Sequence, residues 1–124
     1  MTLERKSIPL DKKEELIASL VSLGVQKNVA KILVFFIENK TGVCQDIQEY
    51  AEIRQPAVSM GMDYLRKRGW VYGEKIKSYK RGTFVTRYRM LPLEKIIDEI
   101  ERDVREKNER TRALFRKIRI MIEN

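Results

Sequence analysis

The amino-acid sequence predicts an α+β protein that is predominantly helical, and three patterns support this. Apolar residues recur at helical spacing in four segments that end before residue 70. Residues 84–91 alternate with a two-residue period, as a strand does, and the chain after Pro92 contains no Gly or Pro. The 124 residues suit one compact domain, at residues 1–91, followed by one long helix at residues 92–124.

The first two helices are predicted at about residues 12–23 and 27–39. Asp11 is a favourable N-cap, Glu14 three positions later completes a capping box, and Gly24 ends the first helix. The inward residues of this helix are Leu16, Leu20 and Leu23. The second helix has so wide an apolar face that we expect it to be central and mostly buried.

A shorter third helix is predicted at about residues 44–52, and a fourth from Gln55 to about Arg68. Pro56 suits the first turn of the fourth helix and Gly69 supplies its end. Gly61 lies in its middle, where glycine costs about 0.5–1 kcal/mol relative to alanine. Either close approach to DNA or a neighbouring helix, or a packing requirement, would explain this glycine. The residues expected to face the core are Val58, Met62 and Leu65.

A basic hairpin follows, with strands at 70–77 and 84–91 around a turn at 78–83. Residues 64–90 carry nine basic side chains and one acidic, so the net charge of +8 is concentrated there. A localised basic patch with aromatic residues is typical of proteins that bind a phosphate backbone, although a solvated basic surface would look similar. We expect the aromatic residues to pack in the core or hairpin rather than to stack on bases: Tyr50, Trp70, Tyr72 and Tyr88.

The composition excludes several classes of protein. With no histidine and one cysteine, the chain cannot assemble the usual zinc or copper ligand sets, an internal disulfide, or a histidine-dependent catalytic site. We therefore predict no enzyme activity, no metal and no cofactor. Cys44, at a helix start, is either a small packing residue or an oxidation sensor. Neither a membrane-spanning stretch nor a secretory signal is present, which predicts a cytoplasmic protein.

The long C-terminal helix is predicted to form a homodimer. Its apolar residues follow alternating steps of four and three, interrupted in mid-seam by Lys107 and Thr111. About 30 helical residues span roughly 45 Å, more than a domain of this size can cover, so the seam requires a partner helix. The predicted dimerisation residues are Leu93, Ile97, Ile100, Val104, Leu114, Ile118 and Met121.

Two segments resemble known regulators of transcription. Residues 47–59, which include Gln55-Pro56-Ala57-Val58-Ser59, are similar to the helix-turn-helix of MarR-like and TrmB-like winged-helix regulators, particularly small archaeal ones. Residues 64–71, Tyr-Leu-Arg-Lys-Arg-Gly-Trp-Val, resemble the ending that leads into the first strand of the wing. The resemblance covers about residues 27–91 and departs at Arg54, where Ser or Thr is usual. It implies a winged helix-turn-helix that binds double-stranded DNA.

On this resemblance the fourth helix enters the major groove and the hairpin contacts the backbone or the minor groove. The expected base-reading residues are Gln55, Ala57, Ser59, Met60 and Asp63. The expected backbone and wing residues are Arg54, Arg66, Lys67, Lys77, Lys80, Arg81 and Arg87, for which ordinary solvated charge is the alternative. A protein-interaction module in a transcription or chromatin assembly is the competing function. A small-molecule effector would leave no spacing signature, and the direction of control cannot be read from the sequence.

Overall fold

The computed structural model describes residues 8–78 and 82–123, and it confirms a predominantly helical winged helix-turn-helix. The chain divides into two units, the first ending at Leu93 and the second beginning at Glu94. The elements in chain order are α1 (Leu10–Ser22), α2 (Lys27–Asn39), β1 (Thr41–Gly42), α3 (Cys44–Ala51), α4 (Gln55–Lys67), β2 (Val71–Lys77), β3 (Phe84–Met90) and α5 (Leu93–Glu123).

The sheet has the order β1-β3-β2, and both pairings are antiparallel. The hairpin register runs from Val71 opposite Met90 to Lys77 opposite Phe84, within one residue of the predicted strands. Strand β1 was not predicted, because two residues are too few to show a period. Gly42 is required in β1 since the Phe35 ring occupies the space that a Cβ atom would fill.

Helix α2 forms the core of the first unit, as its wide apolar face predicted. Eight of its thirteen residues are buried. Helix α4 turns its predicted apolar face inward, with Val58, Met62 and Leu65 buried. Gly61 lies at a tight contact between these two helices, since a Cβ atom there would lie 2.5 Å from Cδ1 of Ile32. Packing against α2 therefore explains the mid-helix glycine.

The predicted capping box of α1 is wrong. Helix α1 begins at Leu10 with Pro9 at its N-cap, and no side chain caps it. The carbonyl of Pro9 accepts the N–H of Lys13 at 3.0 Å, so Asp11 lies inside the first turn. The fixed φ of proline favours this earlier start. Leu23 lies beyond the helix end and is half-exposed, so it does not extend the apolar face.

Within α5, Ile97 was predicted to lie on the dimer seam, and that role stays a prediction. Burial in this helix is confined to Ile96 and Ile100, whereas Ile97 is 40% exposed. Ile100 is buried already in the single chain. The helix is exposed from residue 105 to residue 123, and its exposed apolar residues include Leu114, Ile118 and Met121.

Glu38 is the one charged residue among the buried side chains of the described chain. Its carboxylate accepts hydrogen bonds from the Tyr50 hydroxyl of α3 and from the Ile8 N–H at 3.1 Å. It also pairs with Lys13 of α1 at 3.0 Å. Burial alone would raise the pKa of Glu38, but the hydroxyl, the N–H and the ammonium together lower it to about 2. Two segments distant in sequence are thus joined to the end of α2 by one carboxylate.

We expect Glu38→Gln to destabilise the fold at pH 7 by about 2–3 kcal/mol. The folded-state pKa of Glu38 lies below its ordinary value of 4.5, so its contribution is present above that pH and is lost as the pH falls toward 2. Urea unfolding between pH 2.5 and 7 should therefore give a flatter profile for the variant. Glu49→Gln, at an exposed position of α3, is the control. An unchanged profile for Glu38→Gln would contradict the assigned linkage.

Candidate nucleic-acid interface

Helix α4 is held with one face on the core and the other in solvent. The turn from α3 to α4 passes through Glu52, whose φ of 56° lies in the left-handed region. Arg54 then forms the N-cap, and its carbonyl accepts the N–H of Val58 at 3.0 Å. Because Val58 and the residues one and two turns later are buried, the polar residues between them point outward.

The exposed face of α4 contains the residues predicted to read bases. Gln55 and Ser59 are exposed one turn apart, and Nε2 of Gln55 donates to Oγ of Ser59 at 2.9 Å. Met60 is 72% exposed, whereas Ala57 and Asp63 are half-buried. All five residues therefore retain accessible surface on the helix that the fold places as the second of the helix-turn-helix.

Asp63 is surrounded by cations at the C-terminal end of this face. Its carboxylate pairs with Lys67 at 3.0 Å and with Arg66 at 3.5 Å. The hydrogen bond and the charge of Lys67, followed by Arg66, lower the pKa of Asp63. Two of the predicted phosphate-binding residues thus already have a carboxylate partner in the protein alone.

Arg66 also joins α4 to the hairpin. Its guanidinium lies 3.4 Å from the Tyr88 hydroxyl and 5.9 Å from the centre of the Tyr88 ring. Arg68 behaves similarly toward Trp70, with 4.4 Å between the guanidinium and the ring centre. These contacts hold the basic end of α4 against the base of the hairpin.

The hairpin register places further cations on the side where Tyr88 lies. Residues directly opposite each other share a face, and the face alternates along each strand. Lys75, opposite Thr86, and Lys77, opposite Phe84, therefore lie on the same face as Tyr88, further toward the turn. Both lysines are exposed. Lys75 was missed as an interface residue, although the two-residue alternation with Lys77 would have identified it.

On the opposite face of the hairpin, a predicted wing cation is already paired with a carboxylate of the protein. Arg87 stands opposite Glu74 and pairs with it at 3.1 Å, so this predicted wing cation is engaged within the protein. Tyr72, expected to pack, is 53% exposed, whereas Trp70 and Tyr88 are buried as expected. Lys80 and Arg81, predicted at the tip of the wing, lie outside the described residues.

The thiol of Cys44 is half-buried at the start of α3. Burial raises the pKa of this thiol, and the positive charge of Arg66 partly offsets that rise. A raised pKa disfavours the reactive thiolate.

No group of three or more potential metal ligands occurs in residues 8–78 and 82–123. In the same residues, no helix combines the length and apolar character needed to cross a membrane.

A groove of about 740 Å³ opens on the first unit, away from the exposed face of α4. Its lining comes from α1, from the N-terminal half of α2 and from the end of α3. Ile17, Val21 and Val34 supply apolar surface. The charged lining residues are Lys13, Lys27, Lys31, Glu14 and Glu52. Volumes of this order are usual for small-molecule sites.

Solved structures of transcription regulators share this fold. A possible transcriptional regulator from Methanosarcina mazei matches with a TM-score of 0.63 at 11% identity, over 94% of each chain. A MarR-family regulator from Silicibacter pomeroyi matches with a TM-score of 0.53 at 18% identity, over 82% of this chain and 66% of its own. NadR in complex with 4-hydroxyphenylacetate matches with a TM-score of 0.52 at 19% identity, over 99% and 93%. No protein-family model and no curated protein matches the sequence.

Proposed function

We propose that this chain is a sequence-specific regulator of transcription that binds double-stranded DNA and has no catalytic activity. The observation that carries the proposal is the arrangement of α4 and the hairpin. The exposed polar face of α4 adjoins Arg66, and Arg66 contacts the hairpin face that also holds Lys75 and Lys77. A helix for the major groove and cations for the flanking phosphates are thus contiguous.

Within this function, the residues divide into two roles. Base reading belongs to the exposed face of α4, where Gln55 suits adenine, Ser59 suits a base or phosphate, and Ala57 suits a thymine methyl group. Met60 and Asp63 complete that face. Contacts to the DNA backbone belong to Arg54, Arg66, Lys67, Lys77, Lys80, Arg81 and Arg87, with Lys75 added from the strand register.

The general test is a titration of random duplex DNA by fluorescence anisotropy at two salt concentrations. With about six phosphate contacts, the log–log slope of affinity against salt should lie near −5. Replacing Lys80 and Arg81 with alanine should weaken binding to every sequence and reduce the slope by about 1–2. Lys12→Ala with Lys27→Ala, an equal loss of charge on α1 and α2, is the matched control. Negligible binding of the unmodified protein would favour a protein-interaction module instead.

Base reading predicts a different response. Gln55→Ala should cost about 1–3 kcal/mol at a selected cognate site and relax the preference at one base position, with nonspecific affinity nearly unchanged. Selection of bound sequences from a random library, followed by competition titrations, measures both quantities. Gln45→Ala, at an exposed position of α3, is the control. Equal losses on random and cognate DNA would make Gln55 a positioning residue.

The active species in this proposal is a homodimer formed through α5. Leu114, Ile118 and Met121 are 58%, 45% and 60% exposed, which is unusual for large apolar side chains along one helix. Two copies related by a two-fold axis would read an inverted repeat whose half-sites lie about 34–36 Å apart or a multiple of that.

We expect Leu114→Asp with Ile118→Asp to dissociate this dimer while the winged helix remains folded, because both residues are exposed in the single chain. Light scattering at micromolar concentration, with circular dichroism for the fold, measures the result. Arg105→Asp with Arg112→Asp places two acidic residues on α5 away from the seam and is the control. A dimer that persists in the first variant would exclude the seam as its interface.

An effector, if the regulator has one, is assigned to the groove on α1 and α2. Apolar surface beside three ammonium groups and two carboxylates suits a small molecule with an apolar body and charged or polar groups, and the excess of positive charge favours an anionic group among them. Because Lys13 lines the groove and also pairs with Glu38, a bound anion would compete with Glu38 for the same ammonium group.

A further inference from the structure

Helix α5 separates its charges along its length. Residues 94–109 contain seven acidic and four basic side chains, whereas residues 110–122 contain five basic and no acidic side chains. The basic half also carries the exposed apolar residues Leu114, Ile118 and Met121. The most exposed part of the predicted seam therefore lies in the strongly positive half, and the other half is net negative.

From this separation we infer that α5 pairs with the α5 helix of a second copy in the antiparallel direction. The inference rests on the homodimer of the proposed function and specifies its geometry. An antiparallel pair sets the basic half of each helix beside the acidic half of the other. A parallel pair would align the five cations of both copies, and like charges across a helix pair disfavour that arrangement.

The seam residues select one antiparallel register. With Ile97 opposite the partner's Met121, Val104 lies opposite the partner's Leu114, and Lys107 opposite the partner's Thr111. Apolar residues then face apolar residues, and the two polar positions face each other. A shift of one heptad would instead place Thr111 opposite the partner's Ile100 and Lys107 opposite the partner's Val104. That register sets polar side chains against apolar ones, which is costly.

The remaining layer of this register sets Ile100 opposite the partner's Ile118. Ile100 is 5% exposed in the single chain, whereas Ile118 is 45% exposed. The apolar surface that this contact buries in the dimer therefore comes mainly from Ile118. At the polar centre, Oγ1 of Thr111 already donates to the Lys107 carbonyl at 2.9 Å. The oxygen of that hydroxyl can still accept from the partner's Lys107.

Charged residues beside the seam agree with the same register. Asp103 and Lys117 each immediately precede a seam residue, Val104 and Ile118. In the antiparallel register these flanking positions meet, so Asp103 lies beside the partner's Lys117, and the two-fold axis generates this pair twice. In a parallel pair the same positions would face Asn108 and Ile122, and no attraction between Asp103 and Lys117 would arise.

A disulfide experiment on the full chain tests the direction. In a Cys44→Ser background, two separately tagged proteins carry Val104→Cys and Leu114→Cys. We expect the mixture to form at least about ten times more intermolecular disulfide than Val104→Cys alone, in which the two sulfur-bearing residues would lie about 15 Å apart along the axis. Arg105→Cys mixed with Arg112→Cys, both away from the seam, measures random collision.

Charge exchange is the second measurement. Asp103→Lys alone and Lys117→Glu alone should each weaken the dimer about three- to tenfold at low salt, because two symmetry-related pairs are lost. Both substitutions in one chain should restore affinity to within about twofold, since the pair is re-formed in reverse. Sedimentation equilibrium without DNA measures the three variants, so this result does not depend on DNA binding.

Three outcomes would overturn the inference. Rapid disulfide formation by Val104→Cys alone would show a parallel pair. A mixture no faster than the collision control would show that the seam residues do not meet. A protein that stays monomeric and instead sediments with phosphatidylglycerol vesicles would assign the basic amphipathic half to an anionic membrane surface. The DNA titration of the proposed function can succeed or fail independently of all three.

Discussion

The burial of α2 fixes the position of the other elements in the first unit. Eight of its thirteen residues are buried, and α1, α3, α4 and β1 all pack against it. Gly61 of α4 lies against Ile32, and a Cβ atom at residue 61 would lie 2.5 Å from Cδ1 of Ile32. A side chain at residue 61 would require either the end of the Ile32 side chain or α4 itself to move. The geometry of the candidate interface therefore depends on a contact in the core.

One polar interaction accompanies this apolar packing. Glu38, at the end of α2, binds Tyr50, Lys13 and the backbone N–H of Ile8. A buried carboxylate is tolerated only when its charge is paired and its oxygens accept hydrogen bonds, and removing one partner costs more than the pair contributes. Two of these partners, Lys13 and Tyr50, also line the groove. The groove therefore borders α1 and α3, the two helices that this carboxylate joins to α2.

Local patterns predicted the elements well, and non-local contacts account for what was missed. The bounds of α2, the apolar face of α4 and the hairpin follow from periods and turn residues, which the sequence contains directly. Glu38 could not be predicted as buried, since its partners come from two segments distant in sequence, residues 8–13 and Tyr50. Glu52 adopts a left-handed conformation that glycine or asparagine would have signalled. For the interface, the exposed face of α4 was predictable, whereas the engagement of Arg87 by Glu74 depends on strand register.

The cations of the interface are not equivalent. Those of α4 and those of the hairpin would contribute differently to DNA affinity and to sequence specificity. Lys67 already pairs with Asp63, so its transfer to a phosphate exchanges one partner for another and yields little net affinity. Lys75 and Lys77 are exposed on the hairpin. A carboxylate at Asp63 also repels phosphates that approach α4 without a matching base contact. In the proposed function, nonspecific affinity would therefore come mainly from the hairpin, while α4 would contribute discrimination between sequences.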